Sequence, residues 1–222
     1  MSIRGMIFDL DGTLLDSLGM WEHLVTDFLR RFGIVPPPEL DAVIKPMSVE
    51  EASVYIVRHF SLPLSEEAAK QQVIAAAAKA YTEELLLKPD ADRFLREAQK
   101  QGIPCALATV TYPALLPPTL ARLGISDCFR VILTADGFPE GKTKPDMYLE
   151  AARKLGSEPS ETLVFEDAVY AARTAKAAGF PVIGFLDPYA KAEHAELTAV
   201  CDAVTNQWTT LLTASIFQKY AE

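Results

Sequence analysis

The chain has 222 residues, 50% of them hydrophobic, and carries a formal net charge of −9 at pH 7. This length is sufficient for a well-filled core with an appended lobe. The negative charge argues against a nucleic-acid partner, because phosphate backbones bind basic patches, and no uninterrupted apolar stretch is long enough to cross a bilayer. The odd number of cysteines argues against a disulfide framework, and the chain opens on a strand-like segment rather than a cleavable leader. We therefore expect a cytoplasmic protein, a monomer or weak dimer, that binds neither nucleic acid nor membrane.

The first predicted element is a short apolar strand that ends in two aspartates. Asp9 and Asp11 follow the apolar run 5–8, and Gly12 after them allows a tight turn. Two acids at the end of a buried strand need a positive partner or a shared proton. This pattern suits a metal-assisted nucleophile with an acid beside it and favours phosphoryl transfer. Calcium loops also contain Asp-x-Asp-Gly, and a polar turn without chemistry is a further alternative.

The next stretch, residues 16–88, is predicted to be entirely helical. Asp16 is expected to cap the first of these helices, and Ser48 with Glu51 forms a capping box that starts the second. Apolar residues recur at helical spacing and no strand pattern interrupts them. The predicted helices cover residues 18–32, 48–60 and 65–87.

Beyond residue 88 the pattern changes to strands that alternate with helices. The predicted strands cover residues 104–108, 131–134, 162–165, 182–185 and, more weakly, 201–204. The predicted helices cover residues 90–101, 146–155, 168–178 and a segment from about residue 207, and Pro117-Pro118 is expected to cut or kink a further helical piece. Such alternation indicates a parallel, doubly wound sheet. The predicted fold is α/β, with residues 1–15 and 89–222 as the core and residues 16–88 as a helical cap domain inserted after the first strand.

Polar residues follow three of the predicted strands, at the edge where ligands of such sheets bind. A loop between the second and third of these positions adds two lysines. The candidate site residues are Asp9, Asp11, Thr109, Val110, Thr111, Glu166 and Asp167, with Lys142 and Lys144 as candidate cations.

Four segments in this order resemble the motifs of the haloacid dehalogenase-like hydrolases, in particular their capped phosphatases and phosphomutases. They are Asp9-Leu10-Asp11-Gly12-Thr13, Leu107-Ala108-Thr109, Lys142-Thr143-Lys144-Pro145-Asp146 and Phe165-Glu166-Asp167. Relatives usually have proline where this chain has Thr143, so Lys144 is an alternative to Lys142 as the site lysine. Ala168 and Ala171 replace a usual serine and glycine.

The resemblance implies a role for each candidate residue. Asp9 would be the nucleophile that forms an aspartyl-phosphate, and Asp11 the acid–base. Lys142 would neutralise Asp9 and the phosphate, while Thr109 and Val110 would bind phosphate oxygens. The implied ligands of Mg²⁺ are Asp9, Asp11 through its main-chain carbonyl, Glu166 and Asp167.

The cap positions distinguish two activities within the resembled family. Mutases that are similar to β-phosphoglucomutase usually carry a histidine and an arginine where this chain has Trp21 and Val49. The resemblance therefore favours a Mg²⁺-dependent phosphatase that acts on a small phosphorylated metabolite, with a phosphomutase as the alternative. A non-catalytic binding or regulatory protein of the same fold is a third possibility, although every implied catalytic residue is present. Trp21, Met47 and Tyr55 are expected to face the cleft between cap and core.

Overall fold

The computed structural model describes residues 3–213, and within them the protein is built around a parallel β-sheet. The strands are β1 (Gly5–Phe8), β2 (Cys105–Thr109), β3 (Val131–Thr134), β4 (Thr162–Glu166), β5 (Val182–Phe185) and β6 (Ala203–Thr205). Within the described residues they form one sheet in the order β3-β2-β1-β4-β5-β6, and every neighbouring pair is parallel. The predicted doubly wound α/β fold is confirmed.

The side chains of β1 alternate between two apolar layers. Met6 and Phe8 contact one layer, where the Phe8 ring stacks on Phe165 with 4.7 Å between centroids. Ile7 contacts the other layer. Because both faces of the sheet are covered, the strand is apolar throughout. Its register pairs Phe8 with Leu107 of β2 and with Phe165 of β4, which brings the ends of three strands to one level.

Residues 16–88, which follow β1, contain four α-helices: α1 (Leu18–Arg30), α2 (Leu40–Ile44), α3 (Val49–His59) and α4 (Glu66–Lys79). Each contributes a buried residue to a separate apolar cluster, which includes Phe28, Leu40, Ile56 and Val73. A π-helical turn, Ala80–Glu84, extends α4.

The chain enters and leaves this helical segment side by side. The N–H of Asp16 donates to the carbonyl of Leu86 at 3.0 Å, and the N–H of Lys88 donates to the carbonyl of Leu14 at 2.8 Å. This pairing supports the proposed boundaries of the cap at residues 16 and 88, and the domain division stays a prediction.

The local sequence signals of the cap are partly confirmed. Ser48 and Glu51 form the predicted capping box at the start of α3. The expectation that Asp16 caps α1 is wrong, because the N-cap is Ser17. Ser17 makes no side-chain capping bond, since its hydroxyl donates to Asp11 instead. Helix α2 was not predicted, since its five residues are too short for a periodic pattern.

Between residues 89 and 213, six further α-helices cover the two faces of the sheet. They are α5 (Ala91–Lys100), α6 (Leu116–Arg122), α7 (Asp146–Leu155), α8 (Val169–Ala177), α9 (His194–Val200) and α10 (Trp208–Thr213). Helices α5, α6 and α10 pack on the face of Phe8, and α7, α8 and α9 pack on the face of Ile7. Among residues 3–213, no helix combines the length and the apolar character that spanning a bilayer requires.

The expected break at Pro117-Pro118 is wrong. Both prolines lie in the first turn of α6, after a short 3₁₀ turn, Pro113–Leu115. The first turn of a helix has no intrahelical acceptor for its N–H groups, so prolines there remove no hydrogen bond. They start the helix rather than interrupt it.

Candidate active site

Three strand ends meet around Asp9. Asp9 directly follows β1, Thr109 ends β2 and Glu166 ends β4. Gly12 turns the chain away with φ of +81°, and a Cβ at this position would lie 2.5 Å from Oδ2 of Asp167. Only glycine permits both this conformation and this approach. The turn therefore brings the first loop against the Glu166–Asp167 pair.

Lys142 is buried among the carboxylates. Its ammonium donates to Oδ1 of Asp9 and to Oε1 of Glu166, and the side chain is 2% exposed. Burial alone would lower the pKa of Lys142, but the two carboxylates outweigh this effect and raise the pKa. Lys144, the alternative, is 60% exposed and lies 4.0 Å from Glu140. The structure thus brings Lys142, and not Lys144, to the candidate site.

Asp9, Glu166 and Asp167 form a buried acidic triad. One ligand atom from each lies within 4.8 Å of the others. Oε2 of Glu166 and Oδ2 of Asp167 are buried without a hydrogen-bond partner. Burial, together with the neighbouring carboxylates, raises the pKa of Asp9 well above its usual value, and burial raises that of Asp167 to about 7. Unpartnered buried carboxylate oxygens are costly unless a cation meets them, and oxygen donors of this type fit a hard divalent metal.

The side chain of Asp11 lies outside this triad and accepts three hydroxyl hydrogen bonds. Ser17 and Tyr81 each donate to Oδ1 at 2.5 Å, and Thr111 donates to Oδ2. Trp21 donates in turn to the Tyr81 hydroxyl at 2.9 Å. The carboxyl group of Asp11 is therefore fixed from both the cap and the end of β2.

Thr109 and Val110 line the same cleft as Asp9. The Thr109 hydroxyl is buried and lies 2.7 Å from the Thr111 hydroxyl. All seven predicted site residues thus border one cavity of about 490 Å³ between the sheet edge and the cap helices.

Two of the three predicted cap residues face this cleft. Trp21 and Met47 line it, and the expectation for Tyr55 is wrong. Tyr55 lies on another side of α3, where its ring stacks on His59 with 5.0 Å between centroids. Ile56, the next residue, does face the cleft, and one residue along an α-helix rotates the side chain by about 100°.

Sequence reasoning missed the residues that hold the acids in place. Ser17 and Tyr81 bind Asp11, and Tyr148 donates to Oε1 of Glu166 at 2.7 Å. The separation of only six residues between Ser17 and Asp11 is a sequence signal for their contact. Tyr81 is 70 residues away in sequence, so only the fold reveals its contact.

Comparison with known proteins places the chain among hydrolases. A family model described as haloacid dehalogenase-like hydrolase matches residues 3–179. Hexitol phosphatase A of Escherichia coli strain K12 is 33% identical over 190 residues, which are 85% of this chain and 85% of that protein. The bifunctional riboflavin kinase/FMN phosphatase of Arabidopsis thaliana is 30% identical over 80% of this chain, and the match spans 47% of that longer protein.

A solved structure has the same fold. CbbY from Rhodobacter sphaeroides, crystallised in complex with phosphate, matches with a TM-score of 0.81 at 24% identity, over 94% of this chain and 96% of CbbY. The family match includes Asp9, Lys142 and Asp167, so it covers the site as well as most of the sheet. The chain belongs to the haloacid dehalogenase-like hydrolase family.

Proposed function

We propose that the protein is a Mg²⁺-dependent phosphatase that hydrolyses a small phosphomonoester through an aspartyl-phosphate on Asp9. The observation that carries the proposal is the buried contact of Asp9 with Lys142, beside carboxylate oxygens of Glu166 and Asp167 that lack a partner. This arrangement combines a nucleophile, a fixed cation and a set of metal ligands at one sheet edge.

The charges of the triad explain why a metal is needed. At an effective dielectric constant near 20, each pair of unit charges about 4 Å apart contributes roughly 4 kcal/mol. Three carboxylates that face a phosphate dianion therefore outweigh the single ammonium of Lys142. Asp9, Glu166 and Asp167 would hold Mg²⁺, with the main-chain carbonyl of Asp11 as a further ligand. When bound, the ion would supply the positive charge that lets a carboxylate approach a phosphate.

The proposed reaction has two steps that use the residues already described. Asp11 enters the first step protonated. An oxygen of Asp9 forms a bond to phosphorus while the bond to the alcohol oxygen breaks, and Asp11 gives its proton to that oxygen. Asp11 then takes a proton from water, which attacks phosphorus and releases Asp9 and inorganic phosphate. The Thr109 hydroxyl and Lys142 would hold the transferred group, because both line the cleft beside Asp9.

The second candidate function, a phosphomutase, has less support. Trp21 and Val49 line the cleft at the positions where such mutases carry their histidine and arginine. A second phosphate would therefore find no cation at either position. A mutase would isomerise a hexose phosphate under stimulation by a bisphosphate and release little phosphate. We expect net release of phosphate and no isomerisation that a bisphosphate stimulates.

Phosphate release from p-nitrophenyl phosphate tests the proposal. We expect release in Mg²⁺, loss of release in EDTA, and a rate at least about 1,000-fold lower for Asp9→Asn. Equal rates in the wild type and Asp9→Asn would favour the non-catalytic alternative.

A further inference from the structure

We propose that the alcohol part of the substrate is uncharged and largely apolar and carries no second anionic group. This inference rests on the proposed function, because it concerns the part of the cleft that would receive the leaving alcohol. The cavity of about 490 Å³ has room for a phosphate and a ring-sized group, since pockets for small molecules span about 300–1,000 Å³.

The cap side of the cleft is an apolar wall. We use "cap wall" for six apolar residues of the cap helices and their connections that line the cleft: Trp21, Val25, Ile44, Met47, Val49 and Ala52. Apolar surface of this kind binds apolar ligand groups by removing both from water. A chain of hydroxyls placed against it would lose hydrogen bonds to water without replacement.

Three polar groups on and beside the cap wall already make hydrogen bonds within the protein. Trp21 donates its indole N–H to Tyr81 at 2.9 Å. The Ser53 hydroxyl donates to the carbonyl of Val49 at 2.6 Å, and the Ser48 hydroxyl accepts from Glu51 at the start of α3. These three groups therefore have less hydrogen-bonding capacity left for the hydroxyl groups of a sugar or polyol.

Both cations of the cleft are engaged by carboxylates. Among the described residues that line it, Lys45 and Lys142 are the only basic side chains. Lys142 contacts Asp9 and Glu166, and Lys45 lies 3.0 Å from Oε1 of Glu193. A carboxylate or second phosphate on the alcohol would therefore compete with protein carboxylates for its counter-charge.

A carboxylate also stands beside the wall. Glu22 lines the cleft next to Trp21. Glu22 is exposed, so water screens its repulsion of another anion without changing the sign. An anionic substituent on the alcohol would thus meet weak repulsion from Glu22. Lys45, which adjoins the cap wall in sequence, is already paired with Glu193.

A set of matched phosphates tests the inference. Benzyl phosphate and 4-carboxybenzyl phosphate differ by one carboxylate, and sorbitol 6-phosphate replaces the ring by hydroxyls. We expect kcat/KM for benzyl phosphate to exceed that for either of the other two by about 10-fold or more. Thermal stabilisation by benzylphosphonate and by its 4-carboxy analogue provides a readout that needs no turnover, and the uncharged compound should stabilise more.

A matched pair of variants locates the effect on the cap wall. Val49→Lys adds a cation inside the cleft, and Val54→Lys adds the same cation on the same helix outside it. We expect Val49→Lys to raise kcat/KM for 4-carboxybenzyl phosphate relative to benzyl phosphate by about 10-fold, and Val54→Lys to leave the ratio unchanged.

The outcomes separate this inference from the proposed function. Absence of phosphate release from every compound, with Mg²⁺ present, would overturn the phosphatase itself. Release that is as fast from 4-carboxybenzyl phosphate or sorbitol 6-phosphate as from benzyl phosphate would overturn only the apolar alcohol.

Discussion

Lys142 is the residue on which the electrostatics of the site depend. It is buried, and burial of an ammonium is unfavourable unless charged partners compensate. Asp9 and Glu166 provide that compensation, and Tyr148 adds a hydrogen bond to Glu166. The lysine thereby holds the carboxylate of Asp9 in one orientation at the end of β1.

Replacement of this lysine should abolish most of the activity. We expect Lys142→Met to lower kcat by about 100-fold or more, because a preorganised charge beside the transferred phosphoryl group is lost. Lys144→Met is the matched control, since Lys144 is exposed in the same loop, and it should retain activity within about 2-fold of the wild type. Similar losses in both variants, measured by steady-state kinetics on folded protein, would contradict the assignment.

The two lysines show what the sequence could and could not predict about individual residues. The residue types of the site, two aspartates, a threonine, a lysine and a Glu-Asp pair, follow from the segments at the strand ends. The choice between Lys142 and Lys144 does not, because it depends on the loop conformation, in which Gly141 has φ of +53°. Contacts such as Tyr81 with Asp11 likewise depend on how distant segments pack.

The π-helical turn Ala80–Glu84 is the element that delivers Tyr81 to Asp11. A π-helical turn changes the direction of side chains relative to an α-helix, and such turns are frequent at functional sites. The carbonyl of Tyr81 accepts hydrogen bonds from Thr119 at 3.2 Å and from Arg122 at 3.0 Å. Helix α6 therefore anchors this irregular turn from the core.

Loss of the Tyr81 hydroxyl should impair proton transfer more than phosphoryl binding. We expect Tyr81→Phe to lower the rate of hydrolysis of alkyl phosphates by about 10-fold, because their leaving alcohol must be protonated. The first step with p-nitrophenyl phosphate, measured as the initial burst of nitrophenolate, should stay within about 2-fold, because nitrophenolate leaves without a proton.

Tyr55→Phe, on the outer side of α3, is the control for this prediction and should behave as the wild type. Equal slowing of both substrate types in Tyr81→Phe would indicate a purely structural role for the hydroxyl.

Local signals predicted most elements, and the failures have physical causes. The capping box at Ser48 and the alternation of strands and helices after residue 88 gave the correct types and near-correct bounds. Helix α2 is too short to show a period, and it follows three consecutive prolines. A proline pair breaks the interior of a helix but is tolerated in its first turn. The local sequence does not show which of these positions Pro117-Pro118 occupies, so the expected break is wrong.

Two contacts tie the cap to the segment Pro188–Glu193 that follows β5. Lys45 contacts both carboxylate oxygens of Glu193, at 3.0 and 3.1 Å. Gly19 of α1 lies so near Tyr189 that a Cβ would be 2.5 Å from the ring. These contacts join the cap to the segment 188–193 that follows β5, which suits a cap that excludes water during phosphoryl transfer.

Removal of the Lys45–Glu193 ion pair should weaken substrate binding. The two side chains are 17% and 31% exposed, so the pair contributes about 1 kcal/mol, which corresponds to roughly 5-fold in KM. We expect Glu193→Gln to raise KM for an uncharged-alcohol phosphate by about this factor. Glu196→Gln, which disrupts the surface pair with Arg173, should leave KM unchanged, and an equal change in both variants would contradict a role in closure.

The sequence predicts the architecture of the sheet better than it predicts the arrangement of the cap side chains. A parallel sheet brings the carboxyl ends of β1, β2 and β4 to one edge, so residues that follow these strands converge whatever their separation in the chain. The shape of the cleft depends on which cap side chains point inward, as the different positions of Met47 and Tyr55 show. The domain boundaries, the cytoplasmic location and the monomer or weak dimer stay predictions.

Direct detection of a phosphoryl group on Asp9 tests the central claim. The variant Asp11→Asn lacks the group that would activate water, so with radiolabelled p-nitrophenyl phosphate and Mg²⁺ it should transfer the phosphoryl group and then stall. After acid quench and peptide mapping, we expect label on the peptide that contains Asp9, and none in the double variant Asp9→Asn/Asp11→Asn. Label on another residue, or wild-type turnover that persists in Asp9→Asn, would contradict the proposed mechanism.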